Sequence, residues 1–365
     1  MLAEAFGAWP QPRACPTCKN DSFHLIKGTS PVDLVNITKS GVKRMKILVT
    51  GGAGFIGSNF VRRILDGSFA GVKSVTVLDK LTYAGTLSNF SPKERGNFEF
   101  IEGDICDQEL TISLAVNHYA IVNFAAESHV DRSIAGSREF VLTNILGTHT
   151  LLEAARKAET KTFVQVSTDE VYGSIQEGSW LETDPLLPNS PYAASKASAD
   201  LIARSYFQTY GLDVRVTRCS NNYGTHQYPE KVIPLFVTNL IDGRQVPLYG
   251  NGSNVRDWLH VDDHCRAIYA VLMYGRGGET YNIGGGTELS NMELTHKILG
   301  LMDKEVSCIE NVPDRLGHDR RYSVDATKIL HELGFAPQIN WDQGLTETID
   351  WYRGNEAWWR PLIKR

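Results

Sequence analysis

Apolar residues fall along this chain in short runs separated by amphipathic stretches, and the alternation starts abruptly at Met45. Residues 45–50, MKILVT, form a compact apolar run of the kind that becomes a parallel strand buried on both faces. A helical pattern follows over 55–65, then a strand at 74–79, a strand at 97–101 and a helix near 108–115. Residues 120–124 predict a fourth strand, 137–158 a long helix, 161–167 a fifth strand, 192–210 a helix and 212–217 a sixth strand. Strands alternating with helices predict an α/β fold: a Rossmann-type, doubly wound parallel sheet that binds ligands at the carboxyl ends of its strands. After Arg218 the alternation weakens and turn residues multiply, as in 248–254, LYGNGSN. That region predicts a smaller α+β substrate-binding domain. The expected division is an N-terminal extension at 1–44, a dinucleotide-binding domain at 45–217, and a domain at 218–365 with some segments returning to the first.

Residues 1–44 show no sustained periodicity and predict a poorly ordered extension. They contain a C-x-x-C pair, Cys15 and Cys18, but a zinc ribbon needs a second pair or two histidines, and only His24 lies near. No metal site is expected. A formal charge of -5 with scattered basic residues gives no electrostatic case for nucleic acid. No apolar run approaches the roughly 18–20 residues that cross a bilayer, and no signal-peptide pattern opens the chain, so no membrane partner and a cytoplasmic location are expected.

Thr50-Gly51-Gly52-Ala53-Gly54-Phe55-Ile56-Gly57-Ser58 links the first strand to the first helix. Glycines in this context permit a tight turn, close approach of backbone to a pyrophosphate and close helix–strand packing, with the anion at the helix N-terminus. Asp79 ends the second strand, where a carboxylate accepts hydrogen bonds from a ribose diol and repels a 2′-phosphate. NAD is therefore expected over NADP, although Lys80 beside Asp79 leaves an opening for the latter.

Val166-Ser167-Thr168-Asp169-Glu170-Val171-Tyr172-Gly173 closes the fifth strand with a hydroxyl and two carboxylates. Tyr192 and Lys196 lie four residues apart and share one face of the following helix. A Tyr/Lys pair suits hydride chemistry on an alcohol. The ammonium and a positive nicotinamide ring are expected to bring the phenol down from its usual pKa of about 10. The carboxylate pair suits loss of water beside the ketone so formed. Successive strand residues point to opposite faces, so Asp169 and Glu170 converge only if the strand ends there.

With these segments the chain resembles the extended short-chain dehydrogenases/reductases, and most closely the dTDP-glucose 4,6-dehydratases, over about residues 45–359. Further matching segments are 79–85, 125–133, 190–196, 220–224 and 254–258. The resemblance implies that Tyr192 is the base at the 4-hydroxyl, Glu170 the base at C5, Asp169 the acid at the C6 oxygen, and Thr168 an orienting group. It implies cofactor contacts at Gly51, Gly54, Phe55, Ile56, Gly57, Asp79, Lys80, Asp104 and Ile105, besides Tyr192 and Lys196. For the nucleotide-sugar it implies Ser128, Asn222, Lys231, Arg256, Asn291, Arg315 and His318. Leu316 departs from a frequent proline in that last loop. A homodimer through paired helices, with contact surfaces on 137–158 and 192–210, is also implied. A UDP-glucose 4,6-dehydratase shares the Thr-Asp-Glu motif and stays open at this point, as do, less favoured, a nucleotide-sugar 4-epimerase and a non-catalytic NAD-binding sensor.

Overall fold

The apolar runs become strands of one sheet. In the computed structural model, which describes residues 45–363, the strands are β1 (Met45–Thr50), β2 (Val72–Asp79), β3 (Glu99–Glu102), β4 (Ala120–Asn123), β5 (Thr162–Thr168), β6 (Val214–Cys219), β7 (Asn221–Tyr223), β8 (Val246–Tyr249), β9 (Val255–His260), β10 (Thr280–Ile283), β11 (Glu288–Ser290) and β12 (Ile309–Val312). Seven of them form a sheet in the order β10-β6-β5-β4-β1-β2-β3, and every neighbouring pair is parallel. The Cys15/Cys18 pair and the expected extension lie outside the described residues, which all fall within one compact unit.

Burial on both faces explains why β1 reads as a continuous apolar run. Ile47 and Val49 join one core with Phe60, Val122 and Ile268, while Leu48 joins Leu78, Ile121, Leu151 and Ala203 in another. The order reverses direction between β1 and β4, creating the switch point outside whose strand ends ligands bind in this class of sheet. The second half of the chain builds a three-stranded sheet, β11-β9-β7, and a two-stranded one, β12-β8. Their helices share a separate aromatic-rich core with Tyr223, Trp258, Trp341 and Trp359. β10 leaves that region and completes the edge of the main sheet by pairing with β6. Among the described residues no helix is long and apolar enough to cross a membrane.

Helices Phe55–Leu65 and Gln108–Ala115 form where the amphipathic pattern places them. The long helix expected over 137–158 does form as continuous helical turns, but Val141–Gly147 is wound as a π-helix between Arg138–Phe140 and Thr148–Lys157. Buried Asn144 sits in that segment. Its amide accepts from Glu127 N at 2.9 Å and donates to Glu127 O at 3.0 Å and Ser195 Oγ at 2.8 Å. One side chain thus ties the end of β4 to helix Pro191–Tyr210, and single-turn π segments recur where a helix serves a site.

That helix starts on Pro191 behind a Ser190 cap and stops at left-handed Gly211. It is fixed from below by a buried ion pair, Arg218 Nε to Asp200 Oδ2 at 2.9 Å, and Arg218 Nη1 also donates to Tyr172 Oη at 2.8 Å. Asp200→Ala would leave a guanidinium uncompensated in the interior, a loss of about 3–5 kcal/mol. Denaturant unfolding should show the midpoint falling accordingly.

Candidate active site

A single cavity gathers the residues that follow the carboxyl ends of β1, β2, β3, β4, β5 and β6. Gly51 takes φ +68°, and a Cβ there would lie 2.5 Å from Ala125 N at the end of β4. At Gly57 an added Cβ would collide with Gly51 O and lie 2.8 Å from Gly52 Cα. Both glycines are therefore required by close backbone approach, and helix Phe55–Leu65 begins at Gly54 with no side chain capping it. Gly57→Ala should displace the loop and abolish dinucleotide retention, read as loss of cofactor from the purified protein. A variant that retains cofactor normally would contradict this packing.

Asp79 braces the same loop. Its carboxylate accepts from Ala53 N at 2.9 Å and Leu81 N at 2.8 Å, and burial raises its pKa above the ordinary value. Lys80 pairs with Asp104 at 2.7 Å. That ion pair turns the Lys80 ammonium towards a carboxylate of its own chain. Ser167 lines the cavity with a buried Oγ that has no protein partner. The glycine cradle at a switch point, the acid after β2 and this waiting hydroxyl fit a dinucleotide.

The strand ends where convergence of the carboxylates requires it. Thr168 is the last residue of β5, in extended conformation, and Asp169–Tyr172 turns into a 3-10 helix capped by the Thr168 hydroxyl. Thr168 Oγ1 accepts from Glu170 N at 3.3 Å and donates to Asp169 Oδ1 at 3.2 Å. Thr168, Asp169, Glu170, Tyr192 and Lys196 all line the cavity.

Their surroundings separate the two carboxyls. Burial holds Asp169 well above the ordinary carboxylate range, and neighbouring Glu170 and Asp257 add to the shift; its Oδ2 has no partner. Burial also raises Glu170, but Arg256, Lys231 and Arg315 oppose it. The arrangement can keep one carboxyl protonated beside one that ionises.

The tyrosine differs from expectation. Burial, followed by the negative charge of Glu170, pushes the Tyr192 phenol well above its usual pKa. Burial lowers Lys196, whose Nζ donates to Val166 O at 2.7 Å. The ammonium is anchored on the strand backbone, and it does not offset the phenol's desolvation.

All of the expected cofactor residues, Gly51, Gly54, Phe55, Ile56, Gly57, Asp79, Lys80, Asp104, Ile105, Tyr192 and Lys196, line the cavity, and so do Ser128, Asn222 and Lys231 of the expected substrate set. Arg256, Asn291, Arg315 and His318 are not part of that lining. Arg256 is buried, its guanidinium donating to Val255 O and Asp319 O. Arg315 pairs with Asp131 at 2.7 Å and His318 with Asp314 at 2.6 Å. The charges of Arg256 and Arg315 nonetheless reach Glu170. Asn291 opens helix Asn291–Leu301, its N–H donating to Asn254 O at 2.9 Å. The cavity also includes Tyr83, Glu127, Ser167, Ser220 and Glu230, which the sequence reading did not assign. Ser167 and Ser220 sit at or just past strand ends, a positional signal that marks them; the others are brought in by tertiary packing.

A family model described as GDP-mannose 4,6 dehydratase matches residues 48–348. A dTDP-glucose 4,6-dehydratase of Streptomyces niveus is 58% identical over 321 residues, covering 87% of this chain and 96% of that protein. The solved dTDP-glucose 4,6-dehydratase of Streptomyces venezuelae, crystallised with NAD bound, superposes with TM-score 0.86 at 57% identity, covering 87% of this chain and 100% of its own. A UDP-glucose 4-epimerase of Thermotoga maritima shares the fold at TM-score 0.78 but only 32% identity, covering 86% of this chain and all 100% of that one. The chain therefore belongs to the dTDP-glucose 4,6-dehydratases, within the extended short-chain dehydrogenase/reductase superfamily.

Proposed function

We propose that the protein converts dTDP-glucose to dTDP-4-keto-6-deoxyglucose, with NAD as a resident cofactor. The observation that carries this reading is the turn Thr168-Asp169-Glu170. It places two carboxyls, both raised by burial but with more neighbouring cations opposing the rise at Glu170 than at Asp169, in one cavity with Tyr192 and the glycine loop. When bound, NAD supplies the hydride acceptor at C4 and the hydride donor at C6, and its positive nicotinamide ring offsets the burial that keeps Tyr192 protonated.

Tyr192 takes the proton of the 4-hydroxyl, which Thr168 orients. The resulting 4-ketone acidifies C5, whose proton passes to Glu170. Asp169, protonated at neutral pH, gives its proton to the C6 oxygen, which leaves as water. Glu170 returns a proton to C5 at the end of the cycle, Tyr192 releases to solvent the proton it took and Asp169 regains one from solvent, and the net change is loss of one water. Lys231, whose Nζ donates to Ser128 O at 2.8 Å, and Arg256 and Arg315 supply positive charge for the diphosphate. Asn222 and Ser128 supply further nucleotide-sugar contacts from the cavity wall, and Asn291 and His318 do so where the substrate extends beyond that wall.

The protein acts in the cytoplasm as a homodimer. Support for the dimer comes from apolar side chains left exposed on the two helical stretches that carry the site: Val141 49%, Leu146 45%, Leu201 58% and Tyr210 55%. A second copy covers this face, and a monomeric mass in solution would contradict that. The catalytic proposal is tested by incubating the protein with dTDP-glucose and, separately, UDP-glucose. Loss of one water from the first, without net consumption of NAD, is expected. Loss of water from UDP-glucose alone would reassign the base.

A further inference from the structure

Two stretches of the cavity wall that are far apart in sequence are fastened together by a residue that is not itself part of the wall. Tyr83 lies in the segment leaving β2, four residues past Asp79, and Glu230 lies in the segment beyond β7; both line the cavity. The Arg132 guanidinium, from helix Val130–Ala135, sits 3.7 Å over the Tyr83 ring. Its Nε and Nη2 both donate to Glu230 Oε2, at 3.1 and 3.0 Å. The Tyr83 ring also meets that of Tyr228 edge-on at 5.4 Å. Arg132 is 50% exposed, against 17% for Glu230, which places it on the solvent side of this junction.

We propose that Arg132, stacked on Tyr83 and bound to Glu230, is a bolt that holds these wall segments together and retains the dinucleotide between turnovers. The proposal rests on the cofactor assignment above. A hydride borrowed at C4 has to be returned at C6 within the same cycle, so release of the dinucleotide must be slow compared with turnover. A planar guanidinium can stack on a ring and donate two hydrogen bonds at once, which an ammonium cannot. The bolt acts through Tyr83 and Glu230, and Arg132 is a positioning residue.

The test loads the holoenzyme with radiolabelled NAD, chases it with excess unlabelled NAD in the absence of sugar, and follows retained label. Arg132→Ala and Tyr83→Leu should each release label about tenfold faster than wild type. The double variant should be no faster than the faster single one, because both remove the same contact. Arg132→Lys, which keeps the charge and the fold, should fall between wild type and Arg132→Ala. The control Arg353→Ala, which removes an exposed pair with Asp350, should release at the wild-type rate. Wild-type release from both Arg132 variants would overturn the bolt, as would equal acceleration in the Arg353 control. Because no sugar is present, failure of the dehydration reading leaves this result unaffected. A protein that holds no labelled NAD would instead overturn the cofactor assignment, and the bolt with it.

Discussion

Asp169→Asn is expected to lower kcat by about 10²–10⁴-fold, the range for removing a positioned general acid, while leaving C4 oxidation intact. The enzyme–sugar complex should stop after the first step, with reduced nicotinamide visible in its near-ultraviolet absorbance and with C5 still exchanging its proton with solvent through Glu170. Glu170→Gln should cost a similar factor but abolish the C5 exchange. The pair of variants thus separates acid from base. If Asp169→Asn lost C5 exchange and Glu170→Gln kept it, the assigned roles would be reversed.

The same surroundings fix the pH response. Activity should rise with pH as Glu170 ionises and fall again as Asp169 loses its proton, because burial raises both, but Arg256, Lys231 and Arg315 oppose the rise at Glu170 whereas Arg256 alone of these opposes it at Asp169. For stability, the folded protein keeps a proton on Asp169 where the unfolded chain, with an ordinary pKa of about 3.9, has lost it. The native state then binds more protons, so this group's contribution makes stability fall as pH rises from that value towards the raised folded one. Asp169→Asn removes this slope and should melt at or above the wild-type temperature near neutral pH. Gain of stability with loss of activity is the mark of a strained catalytic group.

Tyr192→Phe is expected to lower kcat by about 10²–10⁴-fold as well, but at an earlier step. No reduced nicotinamide should appear when sugar is added, because the 4-hydroxyl keeps its proton. The ring remains packed against Phe140 at 6.3 Å between centroids, so folding should be preserved. Normal C4 oxidation in this variant would remove Tyr192 from the mechanism.

The frame of the molecule was readable because the apolar runs of the first half, the edge strand β3 apart, are strands buried on both faces, and the amphipathic stretches between them pack one side on the sheet. Helices at 55–65 and 108–115 follow directly from that period. The π segment at Val141–Gly147 was not readable, since a change in winding leaves the apolar spacing of a long helix nearly intact. With it, the role of Asn144 in joining Glu127 to Ser195 was hidden. The convergence of Asp169 and Glu170 depends on β5 stopping at Thr168, a boundary set by tertiary packing. The anchoring of Lys196 on Val166 O is likewise a contact between distant segments that spacing cannot express. Residues that only touch across the fold, such as Arg132 with Tyr83, carry no local signal at all.

The most direct test of the central claim uses dTDP-glucose carrying deuterium at C4, with the product read by mass spectrometry and NMR. The expected product is lighter by one water, with the deuterium transferred to C6 and a solvent-derived hydrogen at C5. Deuterium washed out into solvent, or an unchanged mass with inverted configuration at C4, would contradict it.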